Sequence, residues 1–430
     1  MTETSDVVRI ARDLIRIDTS NFGDHSGPGE REAAEYVAAE LADVGIASEI
    51  FESAPGRASC IARIEGTDSS RGALVIHGHL DVVPAQAEDW QIDPFAGEVK
   101  DGYLWGRGAV DMKDMCAMTL SMVRTMAREG RKPPRDLVLA FVADEEAGGA
   151  WGARYLVEQK PELFEGATEA IGEVGFSVTV GDLRLYLIET AQKGMHWMRL
   201  TAHGRAGHGS MINDDNAVTK MCEAVARLGR YDFPIVITPT VRQFLEEVSD
   251  ALGVELDPND METNLAKLGP LARIVGATIR NTANPSMLDA GYKANVIPGK
   301  ATAVVDGRFL PGQEGEWKRQ LEELIGPDID IEDVYYDIAV ETTFDGALVD
   351  AMAEAVRMED PGARTIPYML SGGTDAKSLS RLGIRCFGFV PLQLPPELDF
   401  PSLFHGVDER IPLSALTTGE RILDRFIRGC

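Results

Sequence analysis

Cysteine is scarce in this chain of 430 residues. No Cys-x-x-Cys pair occurs, and the five cysteines stand far apart, at Cys60, Cys116, Cys222, Cys386 and Cys430. An odd number of scattered thiols argues against a disulfide framework and against a thiolate zinc site. We therefore expect free thiols in a reducing compartment.

Long apolar runs and clustered basic residues are also missing. No apolar stretch approaches the ~20 residues that span a bilayer, and Arg9, Arg12 and Asp13 interrupt the segment in which a signal peptide would have its apolar core. The 42 basic residues face 69 acidic ones, a formal net charge of -27, whereas phosphate backbones are bound by clustered Lys and Arg. These features disfavour a nucleic-acid partner and a membrane role, and they predict a cytoplasmic location.

Short apolar runs alternate with helical patterns along most of the chain. Runs of the kind found in strands buried on both faces occupy 74–76, 137–142, 185–188 and 386–390. Helical periodicity is present at 30–44, 115–128, 150–159, 346–358, 375–382 and 413–427. This alternation predicts an α/β fold, with a mixed, mostly parallel sheet covered by helices.

The length favours two domains, because single cores stop growing at roughly 250 to 300 residues. Between 193 and 340 the rhythm changes to that of a small inserted α+β sandwich, with strands predicted at 196–203, 300–306 and 329–335 and helices at 216–228 and 316–324. Asp214 or Asp215 is the expected cap of the first of these helices. We therefore predict a catalytic domain in two parts, 1–192 and 341–430, and an inserted lid or dimerisation domain, 193–340. The partly helical stretch 231–291 suggests no chemical role.

Several acidic residues and histidines follow predicted strands or glycine turns. His79 and Asp81 come just after a strand, where open α/β sheets bind ligands, and a His-x-Asp pair provides an imidazole and a carboxylate to orient it. Glu145 and Glu146 end another strand, where crowded like charges would be relieved by a divalent cation. Taken singly, each is also compatible with a structural histidine or with solvated charge at a strand end.

Three further positions complete the set. Asp111 follows the glycine turn 106–108 and could equally be a turn or cap residue. Glu173 and His405 would be unremarkable alone. Together with His79 and the paired glutamates, they offer two imidazoles and four carboxylates, a combination suited to zinc.

Four motifs in order resemble one metallohydrolase family, which contains acetylornithine deacetylase, succinyl-diaminopimelate desuccinylase, aminoacylase and glutamate carboxypeptidase. The motifs are Gly78-His-Leu-Asp-Val-Val-Pro84, Trp105-Gly-Arg-Gly-Ala-Val-Asp-Met112, Ala143-Asp-Glu-Glu-Ala147 and Phe404-His-Gly-Val-Asp408. The likeness covers essentially the whole chain and implies a zinc exopeptidase-like fold. One departure is Gly172-Glu-Val-Gly175, where the family often has Gly-Glu-Pro.

The resemblance implies two Zn²⁺ per subunit, with Co²⁺ or Mn²⁺ as possible substitutes. Asp111 would bridge the ions, His79 and Glu173 would complete one shell, and Glu146 and His405 the other. Asp81 would orient His79, Glu145 would be the general base, and the peptide between Asp111 and Met112 would be cis.

The resemblance also implies residues on the substrate side. His208 would act in the active site of a neighbouring subunit, which makes a homodimer the expected assembly. Asn295 and Arg308 would hold a substrate carboxylate, although Arg308 could instead form a surface ion pair. The amides of Gly372, Gly373 and Thr374 would contact the substrate, or they could simply begin a capped helix.

The predicted function is hydrolysis of a linear amide bond next to a free carboxylate, with a metal-bound water as nucleophile. The substrate would be a small N-acyl amino acid or a dipeptide, and the motifs do not separate a deacylase from a dipeptidase or carboxypeptidase. The alternative is a catalytically silent family member that acts as a binding or scaffold protein. A nucleotide-binding protein has no support, since neither a P-loop nor a GxGxxG after the first strand is present.

Overall fold

The computed structural model describes residues 5–24, 26–257 and 259–430. In chain order, its strands are β1 (Ser48–Ala54), β2 (Arg57–Ile64), β3 (Ala73–His79), β4 (Glu98–Lys100), β5 (Tyr103–Trp105), β6 (Leu137–Val142), β7 (Ala167–Gly172), β8 (Phe176–Val180), β9 (Leu183–Gln192), β10 (Gly194–His203), β11 (Gly207–His208), β12 (Thr282–Ala290), β13 (Val296–Ile297), β14 (Lys300–Phe309), β15 (Ile329–Asp337), β16 (Val340–Glu341), β17 (Arg364–Leu370), β18 (Arg385–Gly388) and β19 (Arg410–Pro412). The α-helices are α1 (Asp6–Arg16), α2 (Arg31–Ala42), α3 (Lys113–Arg128), α4 (Ala153–Gln159), α5 (Ala217–Arg230), α6 (Pro239–Leu252), α7 (Met261–Lys267), α8 (Ala272–Gly276), α9 (Glu314–Ile325), α10 (Ala347–Glu359), α11 (Ala376–Ser380) and α12 (Leu413–Gly429).

A large sheet runs in the order β1-β2-β6-β3-β7-β18-β9-β16, and β8 and β17 also pair with β9. Its centre, β6-β3-β7-β18, is parallel, while β1 and β2 join antiparallel at one edge. β3 and β6 are buried along their whole length, which explains their continuous apolar sequences. The predicted α/β class with a mixed, largely parallel sheet is confirmed.

Helices cover both faces of this sheet. Along β6, Leu137, Leu139 and Phe141 pack into the layer of α1, α3 and α12, whereas Val138 and Ala140 pack with α4 and α11 on the opposite face. Alternate residues of one strand therefore belong to two cores, as the period of two in a strand requires.

A second, antiparallel sheet has the order β12-β14-β10-β15. Its core contains the fully buried Trp317 of α9 and Met221 of α5. The expected cap of α5 was wrong: the side chain of Asn216, not Asp214 or Asp215, accepts hydrogen bonds from the N–H groups of Val218 and Thr219. Asn216 directly precedes the first helical residue, so its side-chain oxygen reaches the first free amides, whereas Asp214 and Asp215 stand further from the start of the helix.

The stretch 239–279, here named the helical segment, contains α6, α7 and α8. Its residues Phe244, Leu245 and Val248 belong to the core of the large sheet, and α6 packs against β17 and β9. The division into 1–192, 193–340 and 341–430 remains a prediction. It assigned the helical segment to the inserted domain and did not anticipate that this segment packs against the large sheet.

The five cysteines are free, and only Cys222 is exposed. Among the helices of the described ranges, none combines the length and the apolar character needed for a membrane crossing.

Candidate active site

The predicted site residues meet at one edge of the large sheet. His79 ends β3, Glu145 and Glu146 form a short 3-10 turn three residues after β6, and Glu173 follows β7 directly. These three strands are parallel neighbours, so their carboxyl ends lie side by side, the usual location of ligand sites in such sheets.

Asp111 reaches the same place from a loop at the start of α3, and its peptide bond to Met112 is cis, as expected. The buried carboxylate of Glu409 accepts hydrogen bonds from the N–H groups of Gly108 (3.1 Å), Val110 (2.7 Å) and Asp111 (3.2 Å). Arg107 donates to the same carboxylate at 2.7 Å. Glu409 therefore fixes the loop that carries Asp111. Sequence reasoning missed this residue, although it directly follows the motif that contains His405.

The two carboxylate oxygens of Asp111 face different imidazoles. Oδ1 lies 3.1 Å from Nε2 of His79, and Oδ2 lies 3.2 Å from Nε2 of His405. His79 Nε2 is also 3.9 Å from Glu173 Oε2, and His405 Nε2 is 3.1 Å from Glu146 Oε2. Asp111 thus stands between two groups, each made of one histidine and one glutamate.

Glu145 is also near His79. Ligand atoms of His79, Glu145 and Glu173 lie within 4.8 Å of one another, as do those of His79, Asp111 and Glu146. The predicted base therefore stands within the cluster of predicted ligands, where it could act on a molecule bound there.

Two residues next to these positions and one of the positions themselves have a left-handed backbone without being glycine: Asp144 (φ 68°), Val174 (φ 61°) and His405 (φ 57°). Such conformations cost ~1 to 3 kcal/mol and cluster at functional sites. Val174 is the most unusual, because it is β-branched. It occupies the position at which the family often has proline, and proline, with φ fixed near -65°, could not adopt this conformation.

Burial and mutual repulsion shape the electrostatics of the cluster. Burial, followed by the charge of Glu173, raises the pKa of Glu145 well above its ordinary value, and burial also raises the pKa values of Glu146 and Glu173. Hydrogen bonds that the imidazole of His405 donates to the carboxylates of Asp111 and Glu146 raise the pKa of His405 to about 10. Among the described residues, Glu146 Oε1 and Glu173 Oε2 are buried without a hydrogen-bond partner. Such unpaired, crowded carboxylates are the environment that a divalent cation stabilises.

Asp81 differs in detail from the expectation. The Nδ1–H of His79 donates to the main-chain oxygen of Asp81 at 2.9 Å, while the nearer carboxylate oxygen is 3.6 Å away. That carboxylate instead accepts the N–H groups of Glu145 and Glu146, each at 3.1 Å, and the side-chain amide of Asn21 at 2.9 Å. Asp81 therefore contacts both the imidazole and the turn of the two glutamates.

A cavity of about 650 Å³ opens beside the cluster, with Asp111, Glu145, Glu146, Glu173 and His405 in its wall. Arg308, Gly372, Gly373 and Thr374 also line this cavity. Arg308 pairs with Asp306 at 2.7 Å. The N–H of Thr374 donates to Gln192 at 2.9 Å, and the hydroxyl of Thr374 accepts from Gln192 at 2.8 Å. Of the three predicted amides, that of Thr374 is therefore already engaged.

His208 and Asn295 are not brought to this cavity. Neither is among the described residues that line it. Both are exposed and lie together at the β11–β13 ladder, His208 in β11 and Asn295 just before β13. There the N–H of Gly209 donates to the main-chain oxygen of Asn295 at 3.0 Å, and Nδ1 of His208 is 2.8 Å from the hydroxyl of Ser210.

The chain matches the model of peptidase family M20/M25/M40 over residues 75–429. It belongs to this family. As a member of the M20/M25/M40 family, it is a metal-dependent hydrolase of peptide or amide bonds, and the resemblance inferred from the four motifs is confirmed.

Two curated relatives and one solved structure extend the comparison. N-fatty-acyl-amino acid synthase/hydrolase PM20D1 from Xenopus tropicalis is 28% identical, over 96% of this chain and 84% of its own. Aminoacylase-1 from Sus scrofa is 25% identical, over 98% and 94% of the two chains. The M20 family metallo-carboxypeptidase Sso-CP2 from Sulfolobus solfataricus shares the fold, with a TM-score of 0.76 over 99% of each chain at 17% identity.

Proposed function

We propose that this M20/M25/M40 family hydrolase is a di-zinc enzyme that cleaves a linear amide bond next to a free carboxylate. The observation that carries the proposal is the position of Asp111, whose two oxygens face His79 and His405 at 3.1 and 3.2 Å. A carboxylate placed in this way can join two cations. The substrate would be an N-acyl amino acid or a dipeptide.

The side chains fit two zinc ions. Asp111 would bridge them, His79 and Glu173 would hold one, and Glu146 and His405 the other. Imidazole nitrogens and carboxylate oxygens are ligands that zinc accepts, and Co²⁺ or Mn²⁺ would be accepted as substitutes. The buried oxygens Glu146 Oε1 and Glu173 Oε2, which have no hydrogen-bond partner within the described chain, would be neutralised by coordination of their carboxylates to the ions.

When bound, the ions would polarise the scissile carbonyl and make water a better nucleophile near neutral pH. Glu145 would accept the proton of the attacking water and pass it to the leaving nitrogen. Asp81 would hold Glu145 for this task through the main-chain N–H of Glu145.

Arg308 is the candidate for recognition of the substrate carboxylate, because it is the guanidinium of β14 that lines the cavity and a guanidinium fork suits a carboxylate. The substrate would compete with Asp306 for it. The amides of Gly372 and Gly373 would assist, while Thr374 would keep the turn in place through Gln192. The names of the two relatives, both of which refer to acylated amino acids, support a deacylase.

His208 and Asn295 would act in the cavity of a partner subunit of a homodimer, because they lie outside the lining of their own chain's cavity. Subunit mixing tests this. A His208→Ala chain combined with a Glu145→Gln chain should recover activity in heterodimers, since one cavity would contain intact groups from both chains. Confirmed heterodimers without activity would refute the assignment. The cytoplasmic location stays a prediction.

The decisive experiment combines metal content with a substrate screen. Protein loaded with Zn²⁺ should contain two ions per chain and hydrolyse members of a panel of N-acetyl, N-formyl and N-succinyl amino acids and dipeptides. Removal of the ions by a chelator should abolish turnover, and Zn²⁺ or Co²⁺ should restore it. Full activity in verified metal-free protein, or one ion at saturation, would contradict the proposal.

A further inference from the structure

The helical segment, for which the sequence suggested no role, forms part of the active-site cavity. Arg273 and Ile274 of α8, and Ala277 just after it, line the same cavity as Glu145 and His405. The side chain of Ile274 is half-buried there. The helical segment, which is inserted between strands of the small sheet, thus lines part of the active-site cavity at the edge of the large sheet.

A second cavity of about 400 Å³ adjoins the first. Phe176, Arg273, Ile274 and Pro401 line both cavities, so these side chains stand at the boundary between them. Beyond the boundary, the wall is largely apolar and includes Val178, Leu394, Leu398 and Phe400.

Aromatic rings connect the two spaces. The ring of Phe176 lies 6.4 Å from that of Tyr368 and 5.5 Å from that of Phe400, centroid to centroid. Phe400 in turn lies 5.3 Å from Phe404, which precedes His405. A row of contacting aromatic rings therefore extends from Phe404, next to the predicted ligand His405, to Phe400 and Phe176 in the wall of the second cavity.

The position of Arg308 indicates the orientation in which the substrate would bind. Arg308 stands on β14 of the small sheet, whereas Phe176 and Tyr368 belong to the large sheet and Ile274 to the helical segment packed on it. An amide whose carboxylate is held by Arg308 would present its acyl group to the aromatic and aliphatic wall. We propose that the helical segment and the loop 394–401 form an acyl pocket for an extended apolar acyl chain, longer than acetyl. This inference rests on the proposed hydrolysis of N-acyl amino acids.

The charges around the second cavity disfavour an anionic acyl group. Arg273 already faces Asp399, with 3.5 Å between Nη2 and Oδ1, and both side chains are mostly exposed, at 67% and 64%. Glu397 adds a second acid to the lining. The terminal carboxylate of a succinyl group would therefore be repelled by Glu397 and Asp399, and the guanidinium of Arg273 is already paired with Asp399.

The test is a series of N-acyl derivatives of one amino acid, from acetyl through butyryl and hexanoyl to octanoyl, with the zinc-loaded enzyme. Burial of one methylene contributes about 0.8 kcal/mol, roughly a fourfold change, so kcat/KM should rise about fourfold per buried methylene until the pocket is filled. A flat or falling series, or N-succinyl cleaved better than N-butyryl, would overturn the inference.

Substitution of Ile274, at the boundary between the two cavities, tests the pocket against a matched control variant. Ile274→Trp should fill the boundary and lower kcat/KM for the octanoyl substrate at least tenfold more than for the acetyl substrate. Ile235→Trp is the control, because Ile235 is 42% exposed and lies outside the described lining of both cavities. Equal effects of the two variants on the chain-length profile would refute the pocket.

A binding measurement separates this inference from the proposed chemistry. In the Glu145→Gln protein, calorimetric Kd values for N-octanoyl and N-acetyl amino acids report the pocket without turnover. Tighter binding of the octanoyl compound, lost in Glu145→Gln/Ile274→Trp, supports the pocket even if the wild-type enzyme hydrolyses none of the series. Equal Kd values refute the pocket even if hydrolysis is observed.

Discussion

The carboxylate of Asp81 accepts a hydrogen bond from the main-chain N–H of Glu145 at 3.1 Å. The main-chain oxygen of the same aspartate accepts the Nδ1–H of His79 at 2.9 Å. One residue therefore fixes both a predicted zinc ligand and the predicted general base, although the two come from different strands. The spacing between imidazole and base depends on this aspartate.

Asp81→Asn should lower kcat by roughly 10 to 100-fold, the usual effect of losing a group that orients a metal site. The amide nitrogen that replaces one carboxylate oxygen cannot accept an N–H, so the turn of Glu145 and Glu146 would lose one of its two acceptors. Steady-state kinetics at saturating Zn²⁺ would measure the loss. Asp350→Asn, an exposed change on α10, is the matched control. An unchanged kcat in Asp81→Asn would show that the turn needs no such support.

The variants Glu145→Gln and Glu146→Gln should distinguish the predicted general base, Glu145, from the predicted zinc ligand, Glu146. Glu145→Gln should keep both zinc ions and lose ~10² to 10⁴-fold in kcat, the contribution of a general acid or base. Glu146→Gln should weaken zinc binding, because the amide oxygen is uncharged. Metal content after dialysis, read together with kcat, distinguishes them. Since Glu145 also lies within ligand distance of His79 and Glu173, loss of zinc in Glu145→Gln would reassign this residue as a ligand.

The features that could be predicted from the sequence, such as the buried strands and the residues that follow them, depend on local residue patterns. β3 and β6 are continuous apolar runs because they are buried on both faces, and the residues after them could be assigned to a shared sheet edge by the parallel order alone. β12 was not predicted: its Pro285 and its exposed polar residues resemble a loop, and the strand is tolerated because it is an edge with an irregular register at this proline.

Long-range contacts could not be predicted in the same way. Glu409 and Gly108 are 301 residues apart. The sequence around either residue contains no pattern that predicts that the carboxylate of Glu409 accepts three main-chain N–H groups. Likewise, the periodicity of α6 shows that it is helical and has one apolar face, but not which sheet it covers. Its packing against β17 and β9 depends on how the chain returns from the small sheet.

Glu409→Leu should lower the free energy of unfolding by ~3 to 5 kcal/mol, the usual cost of removing one member of a buried ion pair. Arg107, only 4% exposed, would be left with an unpaired buried charge. The double variant Arg107→Leu/Glu409→Leu should be less destabilised, since no buried charge remains. Urea denaturation of the three proteins measures this. A double variant at least as unstable as Glu409→Leu would assign the effect to the loop of Asp111 rather than to the ion pair.

Glu189 should make stability depend on pH. Burial raises its pKa to about 8, although a hydrogen bond from Gln192 opposes the shift, while an exposed glutamate titrates near ~4.3. Between these values the folded state retains a proton that the unfolded state has lost, so unfolding free energy falls as pH rises through this window. Glu189→Gln carries no such proton and should become progressively more stable than the wild type from pH ~5 to ~8, by on the order of 1 kcal/mol per pH unit at most. Denaturation at several pH values would measure the difference, with the exposed Glu158→Gln as control. A constant difference between Glu189→Gln and wild type would mean that Glu189 is already ionised in the folded protein at pH 5.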